Sequence, residues 1–255
     1  MSLARTSRIE PGRAPAVQVR RVERTGTFII HPDLQRRIDL PGVGPCARPV
    51  DIDRALTGFA KLVSLRVYAF DKGVVIDGEA EGDEVFIVLM RGRADVAVSS
   101  GGREAGSFSL QQAGGTRVVY MPPHAAYRLT AVSDCDVAYA RAVPCGTNLP
   151  AACGFVPAPD RLDITGHALS MNVAIATVQA GKCVSLGEDG RSSECFMHIR
   201  SNGMKATIAG ERLHDWDSVA VADGESALLQ VQAGSAEILT VSASRSEAFN
   251  DVIAK

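Results

Sequence analysis

The chain has 255 residues, of which 46% are apolar and 22% charged, and its 27 lysines and arginines against 29 aspartates and glutamates leave a formal net charge of −2. That is enough chain for one large or two modest folded units, and the balance excludes a strongly basic nucleic-acid binder and a disordered acidic tail. Aromatics are 5% of the residues, too few for a stacking platform for single-stranded nucleic acid.

Residues 1–50 read as an irregular N-terminal arm. It holds six of the 12 prolines and nine arginines against four carboxylates. Its first 24 residues carry repeated arginines and no apolar run, so no secretory signal is expected. The scattered arginines lack a recognition motif, which favours an arm packed on the body over one that grips nucleic acid. Residues 51–143 read as a β-rich unit. Leu65, Val67 and Ala69 alternate with Arg66, Tyr68 and Phe70. Glu84–Met90 is a dense apolar run, Ala94–Val98 follows, and Ser100-Gly101-Gly102 offers a hairpin turn. Arg117–Met121, Ala126–Val132 and Asp136–Ala142 complete the set. A proline-rich linker, 144–162, comes next. The longest charge-free stretch, 142–159, contains four prolines and is not a membrane span.

Residues 163–243 repeat the β pattern with Leu169–Gln179, Glu194–Arg200, Met204–Ile208, Ser218–Ala222, Ala227–Val231 and Glu237–Ala243. Residues 244–255 open on the capping-box spacing Ser244-x-x-Glu247 and place Phe249, Val252 and Ile253 on one face, predicting a short closing helix. The six cysteines include no C-x-x-C pair and read as small apolar residues.

The two β units superpose as sequences. Glu84-Val85-Phe86-Ile87 matches Glu194-Cys195-Phe196-Met197 at an offset of 110. Pro122-Pro123-His124 matches Ala222-Asp223-Gly224 at an offset of 100, and the same offset sets Tyr139 opposite Leu239. A hairpin shortened by ten residues in the second copy accounts for the change, since loop length varies at little cost in free energy.

This duplication resembles a bicupin, two jelly-roll β-barrels in one all-β chain. The stretch from Glu84 to Val96 is similar to the end of a first cupin motif, and Val119-Tyr120-Met121-Pro122-Pro123-His124 to a second. Within cupins these segments look most like the 5-deoxy-glucuronate isomerases of inositol catabolism and the related 5-keto-4-deoxyuronate isomerases. The resemblance implies aldose–ketose isomerisation, with a divalent metal polarising the sugar oxygens and a base moving the proton. It also implies a cytoplasmic protein.

The family's ligand pattern is broken in both copies. Counting back from Glu194, the histidine places fall on Gly187 and Asp189, or on Glu188 and Gly190; the last ligand place is Ala227. Counting back from Glu84, they fall on Asp77 and Glu79, or on Gly78 and Ala80; Tyr127 stands at the last place and His124 where glycine is usual. We therefore expect no metal ligands and no cofactor, with a divalent ion in an Asp77, Glu79 and Glu84 cluster as the runner-up. The plainer reading of that cluster is a solvated acidic hairpin.

Two constellations remain as candidate chemistry. Glu194, Phe196 and His198 share one face of a strand, so Glu194 and His198 would form a carboxylate–histidine pair if that face lines the barrel interior; otherwise His198 is an ordinary core histidine. Glu84, if it faces inward, needs a partner such as Tyr127, Arg66 or His124. The catalytic candidates are thus Glu194, His198 and Glu84. The ligand-binding candidates are Tyr127, His124, Arg66 and Trp216, the last with His214 in the shortened hairpin over a barrel end. The expected function is binding of a small polar ligand such as a carbohydrate acid, by a homodimer with no nucleic-acid or membrane partner. The alternatives are an active isomerase with a rebuilt site and a structural oligomerisation protein.

Overall fold

The computed structural model describes residues 26–145, 149–155, 170–187 and 192–244, and the backbone of Val19–Arg21. Over these residues the protein is built from antiparallel strands, with one four-residue helix, Arg54–Thr57. The first barrel has two sheets. The larger runs Cys153–Phe155, Val118–Met121, Glu84–Arg91, Cys135–Ala142, Leu62–Phe70, Gly44–Asp53, Arg37–Leu40. The smaller runs Val75–Glu79, Ala126–Ala131, Arg93–Ser100, Arg103–Gln111. In the second barrel, Ser192–Ile208 and Ala227–Ser244 pair along most of their length, and the other strands attach to these two or extend outward from them. Their pairing register breaks at Asn202, Lys205 and Ala206, where the paired strands bend.

Strand burial explains the apolar runs. Val85, Ile87 and Leu89 point into the first barrel with Ile76, Val96, Val98 and Leu129. Phe86, Val88 and Met90, on the other face of the same strand, pack with Phe196, Leu239, Val241, Val173 and Ile175 of the second barrel. The two barrels therefore share a third apolar core, and Phe59 stacks on Phe196 within it at 5.2 Å between centroids. A strand buried on both faces has no solvent side on which to alternate polar residues.

The register confirms the duplication and corrects one detail. Phe86 pairs with Tyr120 and Ala140, and Phe196 pairs with Ala220 and Val241. Ile87 faces Tyr139, whereas Met197 faces Thr240. Tyr139 thus corresponds to Thr240 rather than Leu239, because the second copy holds one more residue between these strands. Side chains alternate between faces, so a slip of one residue exchanges the barrel interior for the seam.

The N-terminal segment is not irregular where it is described. Thr27–Ile30 adds a strand beside Ser218–Val221 of the second barrel, with Val19–Arg21 paired outside it, and Arg37–Leu40 and Gly44–Asp53 extend the first. The chain therefore straps the barrels together before it enters the first. Beyond the arm, five strands escaped the sequence pattern: Val75–Glu79, Arg103–Gln111, Cys153–Phe155, Cys183–Leu186 and Glu211–Leu213. Their apolar residues are few, and Val75 faces outward, which hides the alternation. The closing helix expected over 244–255, most of the arm before Gly26 and most of the linker lie outside the described residues.

Candidate ligand-binding site

The end of the first barrel holds a cavity of about 100 Å³. Its lining includes Arg66, Tyr68, Tyr127, Tyr139 and Arg141, with Ile76, Val85, Leu40 and Pro41 as apolar wall and Asp77 and Glu79 at the rim. Strand parity builds it. Arg66 and Tyr68 lie on the inward face of Leu62–Phe70, and Tyr139 and Arg141 on that of the neighbouring strand, with Tyr139 directly opposite Arg66. Tyr127 comes from the opposing sheet, where it pairs with Gly78. A side chain at Gly78 would meet the Tyr127 ring at 2.5 Å, so the ring lies across this strand only because position 78 is glycine.

Electrostatics polarise the cavity. Asp51 stands among three guanidiniums: Arg36 at 2.5 Å, Arg48 at 2.7 Å and Arg66 at 3.1 Å. Arg36, Arg48 and Asp51 lie behind Arg66 and do not line the cavity; three cations around one carboxylate leave a positive excess behind Arg66, while Asp77 and Glu79 bring negative charge to the rim. Arg66 uses its Nε for Asp51, and its terminal nitrogens carry no hydrogen bond among the described residues. Arg141 donates to the Ala80 carbonyl and pairs with Glu81 and Asp83. Tyr139 is 6% exposed, and its hydroxyl has no hydrogen-bond partner among the described residues. The Tyr127 hydroxyl lies close to it but outside hydrogen-bonding geometry. Burial pushes Tyr127 up to about 12 and Tyr139 well above the usual phenol range, so both stay protonated donors at neutral pH.

The candidates named from sequence divide between this cavity and the seam. Arg66 and Tyr127 line the cavity. Glu84 does not face inward: its Oε2 accepts the Ser170 N–H at 2.9 Å, across the seam, and Val85 takes the inward position. Burial raises its pKa, and Oε1 has no partner among the described residues. Glu194 is its counterpart. It accepts the N–H groups of Ala60, Lys61 and Leu62 at 2.6, 2.9 and 2.7 Å, and Cys195 faces inward in its place. The short helix Arg54–Thr57 and left-handed Gly58 turn that loop so that its three N–H groups converge on Glu194.

His198 also faces the seam, so the expected pair with Glu194 inside a barrel does not form. Its Nδ1 lies 3.0 Å from the Ser218 hydroxyl, and burial, aided by Arg200, lowers its pKa to about 3. Trp216 lies at the seam rather than over a barrel end, with the Arg200 guanidinium 3.8 Å above its ring. His124 is exposed on a turn, with left-handed φ of 62°, and does not line the cavity. Sequence reasoning missed Tyr68, Tyr139, Arg141 and Asp51. The signal was available as inward parity on two paired strands, obscured by the one-residue slip in the alignment of the copies.

The described residues do not fit the divalent ion that the resemblance implies. The inward positions at the barrel ends carry Val85 and Tyr127 in the first copy and Cys195 and Ala227 in the second. Asp77 is held bidentately by Arg128 outside the barrel, and Glu84 points away from Asp77 and Glu79. No group of three His, Cys, Asp or Glu side chains is placed to hold a metal among the described residues.

Solved structures share this architecture. An IolB-like protein from Salmonella typhimurium LT2 aligns at TM-score 0.61 and 17% identity, covering 78% of this chain and 89% of that one. A putative glyoxylate-induced protein from Pseudomonas aeruginosa aligns at 0.65 and 16%, covering 92% and 95%. A mutant of Bacillus subtilis oxalate decarboxylase aligns at 0.57 and 8%, covering 90% and 76%. With its twin barrels and their shared seam, the protein is a bicupin. Residues 48–162, which take in most of the first barrel, match the model of the KduI/IolB family. No curated protein matches the sequence.

Proposed function

We propose that this bicupin binds a small polar ligand, such as a carbohydrate acid, in the mouth of its first barrel. The observation that carries the reading is the Tyr139 hydroxyl, buried without a partner in a cavity that Arg66 and Arg141 also line. A buried polar group without a partner costs free energy that a ligand oxygen would recover. Binding by side chains alone suits a site whose inward residues are poor metal donors. The reading includes a cytoplasmic homodimer paired through strand edges; no helix among the described residues is long and apolar enough to cross a membrane.

A thermal-shift screen of uronic acids, keto-deoxy sugars, inositols and short hydroxy and oxo acids tests the proposal. A ligand at 100 times its dissociation constant stabilises the native state by about 2.7 kcal/mol. Absence of any shift across the screen would favour a structural role instead. A second reading, an active aldose–ketose isomerase, draws on the family match over the same barrel. Exchange of the substrate's transferable hydrogen in heavy water would establish it, and no exchange with 5-deoxy-glucuronate would remove it.

A further inference from the structure

The two barrels share a fold but not this cavity's chemistry. In register, Arg66, Tyr68, Tyr127, Tyr139 and Arg141 correspond to Ala174, Ala176, Ala227, Thr240 and Ser242. The second barrel folds with small residues at all five places, so the first does not need two arginines and three tyrosines there to close a barrel. Such a set costs free energy to bury, because the phenols and guanidiniums give up water.

Resting on the reading that the first barrel's mouth is the binding site, we propose that its ligand is a short-chain carboxylate, a hydroxy or oxo acid of two to four carbons, rather than a six-carbon uronate. Charge argues for the carboxylate. Arg66 lines the cavity and is backed by Arg36 and Arg48, three guanidiniums around the single Asp51 carboxylate, and its terminal nitrogens are free of hydrogen bonds among the described residues. Planar guanidinium matches carboxylate geometry in a two-pronged contact. The Tyr139 hydroxyl supplies the group for a second oxygen. Size argues for a short chain. A cavity of about 150 Å³ takes one benzene, six non-hydrogen atoms. The cavity here, at about 100 Å³, has room for a carboxylate and little more before the ligand reaches the open rim. Ile76, Val85, Leu40 and Pro41 give the cavity an apolar wall against which a short carbon chain packs.

Calorimetric titration with lactate, glycerate, galacturonate and glycerol tests this. Lactate or glycerate is expected to bind at least about tenfold more tightly than galacturonate, with no heat from glycerol. Arg66→Gln and Tyr139→Phe should each weaken the short acid by about tenfold, Arg66→Lys should keep part of the affinity, and Lys205→Gln, on the second barrel, should leave it unchanged. Circular dichroism of each variant establishes that it is folded, and the retained charge of Arg66→Lys keeps the test open if Arg66→Gln does not fold. Galacturonate binding as tightly through the same residues would overturn the size argument and leave the site in place. Glycerol binding as well as the acids would overturn the charge argument alone. Binding that survives both Arg66→Gln and Tyr139→Phe would remove the site itself, as would no binding by any acid.

Discussion

At the scale of single residues, the chain places titratable groups where water cannot reach them. His198 is fully buried and held neutral, with its pKa lowered to about 3. In the unfolded chain it titrates near the usual value of about 6.5. Between these limits the unfolded state binds the extra proton, so stability falls as pH drops from about 6.5 toward about 3. Chemical denaturation at several pH values from about 7 to 5 should show a steeper loss for the wild type than for His198→Gln. Glu84 acts in the opposite sense. Burial raises its folded pKa, so its contribution is full below the ordinary carboxylate range and is lost as pH rises through the raised value. Glu84→Gln should therefore be within about 1 kcal/mol of wild type at neutral pH, or more stable. In the cavity, Tyr127 and Tyr139 stay protonated above the usual phenol range. Carboxylate affinity should stay level from about pH 7 to 10, and a fall near 10 would mean an ordinary phenol.

At the scale of elements, the telling feature is a pair of crossed carboxylates. Glu84 of the first barrel receives the N–H just before Met171–Gln179 of the second. Glu194 of the second receives the N–H groups leading into Leu62–Phe70 of the first. The repeat that sequence comparison found is thus also a structural reciprocity. The two pins are unequal, because Glu194 accepts three bonds and Glu84 one from the described residues. Glu194→Ala would strand three donors and should cost about 2–4 kcal/mol in urea unfolding, well above the effect of Glu84→Gln. Most strands were legible in the sequence, since apolar alternation and glycine turns are local signals. Val75–Glu79 and Arg103–Gln111 were not, because their burial pattern is one-sided and weak. The face on which a glutamate points was not legible either. An apolar run carries no mark of which side is barrel and which is seam, and Glu84 and Glu194 proved to be seam residues.

At the scale of the whole molecule, the apolar seam makes the barrels a single folding unit. Phe86, Phe196 and Phe59 lie in one cluster drawn from both barrels, and Thr27–Ile30 straps the second barrel with chain that leads into the first. Calorimetry should therefore record one unfolding transition, and two separated transitions would show that the seam does not couple the barrels. Phe196→Ala should lower stability by about 3–5 kcal/mol while keeping that single transition.

The sequence by itself determined the all-β class, the duplication and the absence of histidines at the metal-ligand places of the family it resembles, because each is written in residue identity and short-range periodicity. It also contained Arg66 and Tyr127, two of the residues that line the cavity. Only the tertiary structure decided that Glu84, Glu194 and His198 belong to the seam, and that Tyr68, Tyr139 and Arg141 join Arg66 and Tyr127 around one cavity. The reason is that a strand has two faces. Which one encloses a barrel and which one meets a neighbouring sheet is settled by register and packing between segments far apart in the chain, where one residue of slip exchanges the two.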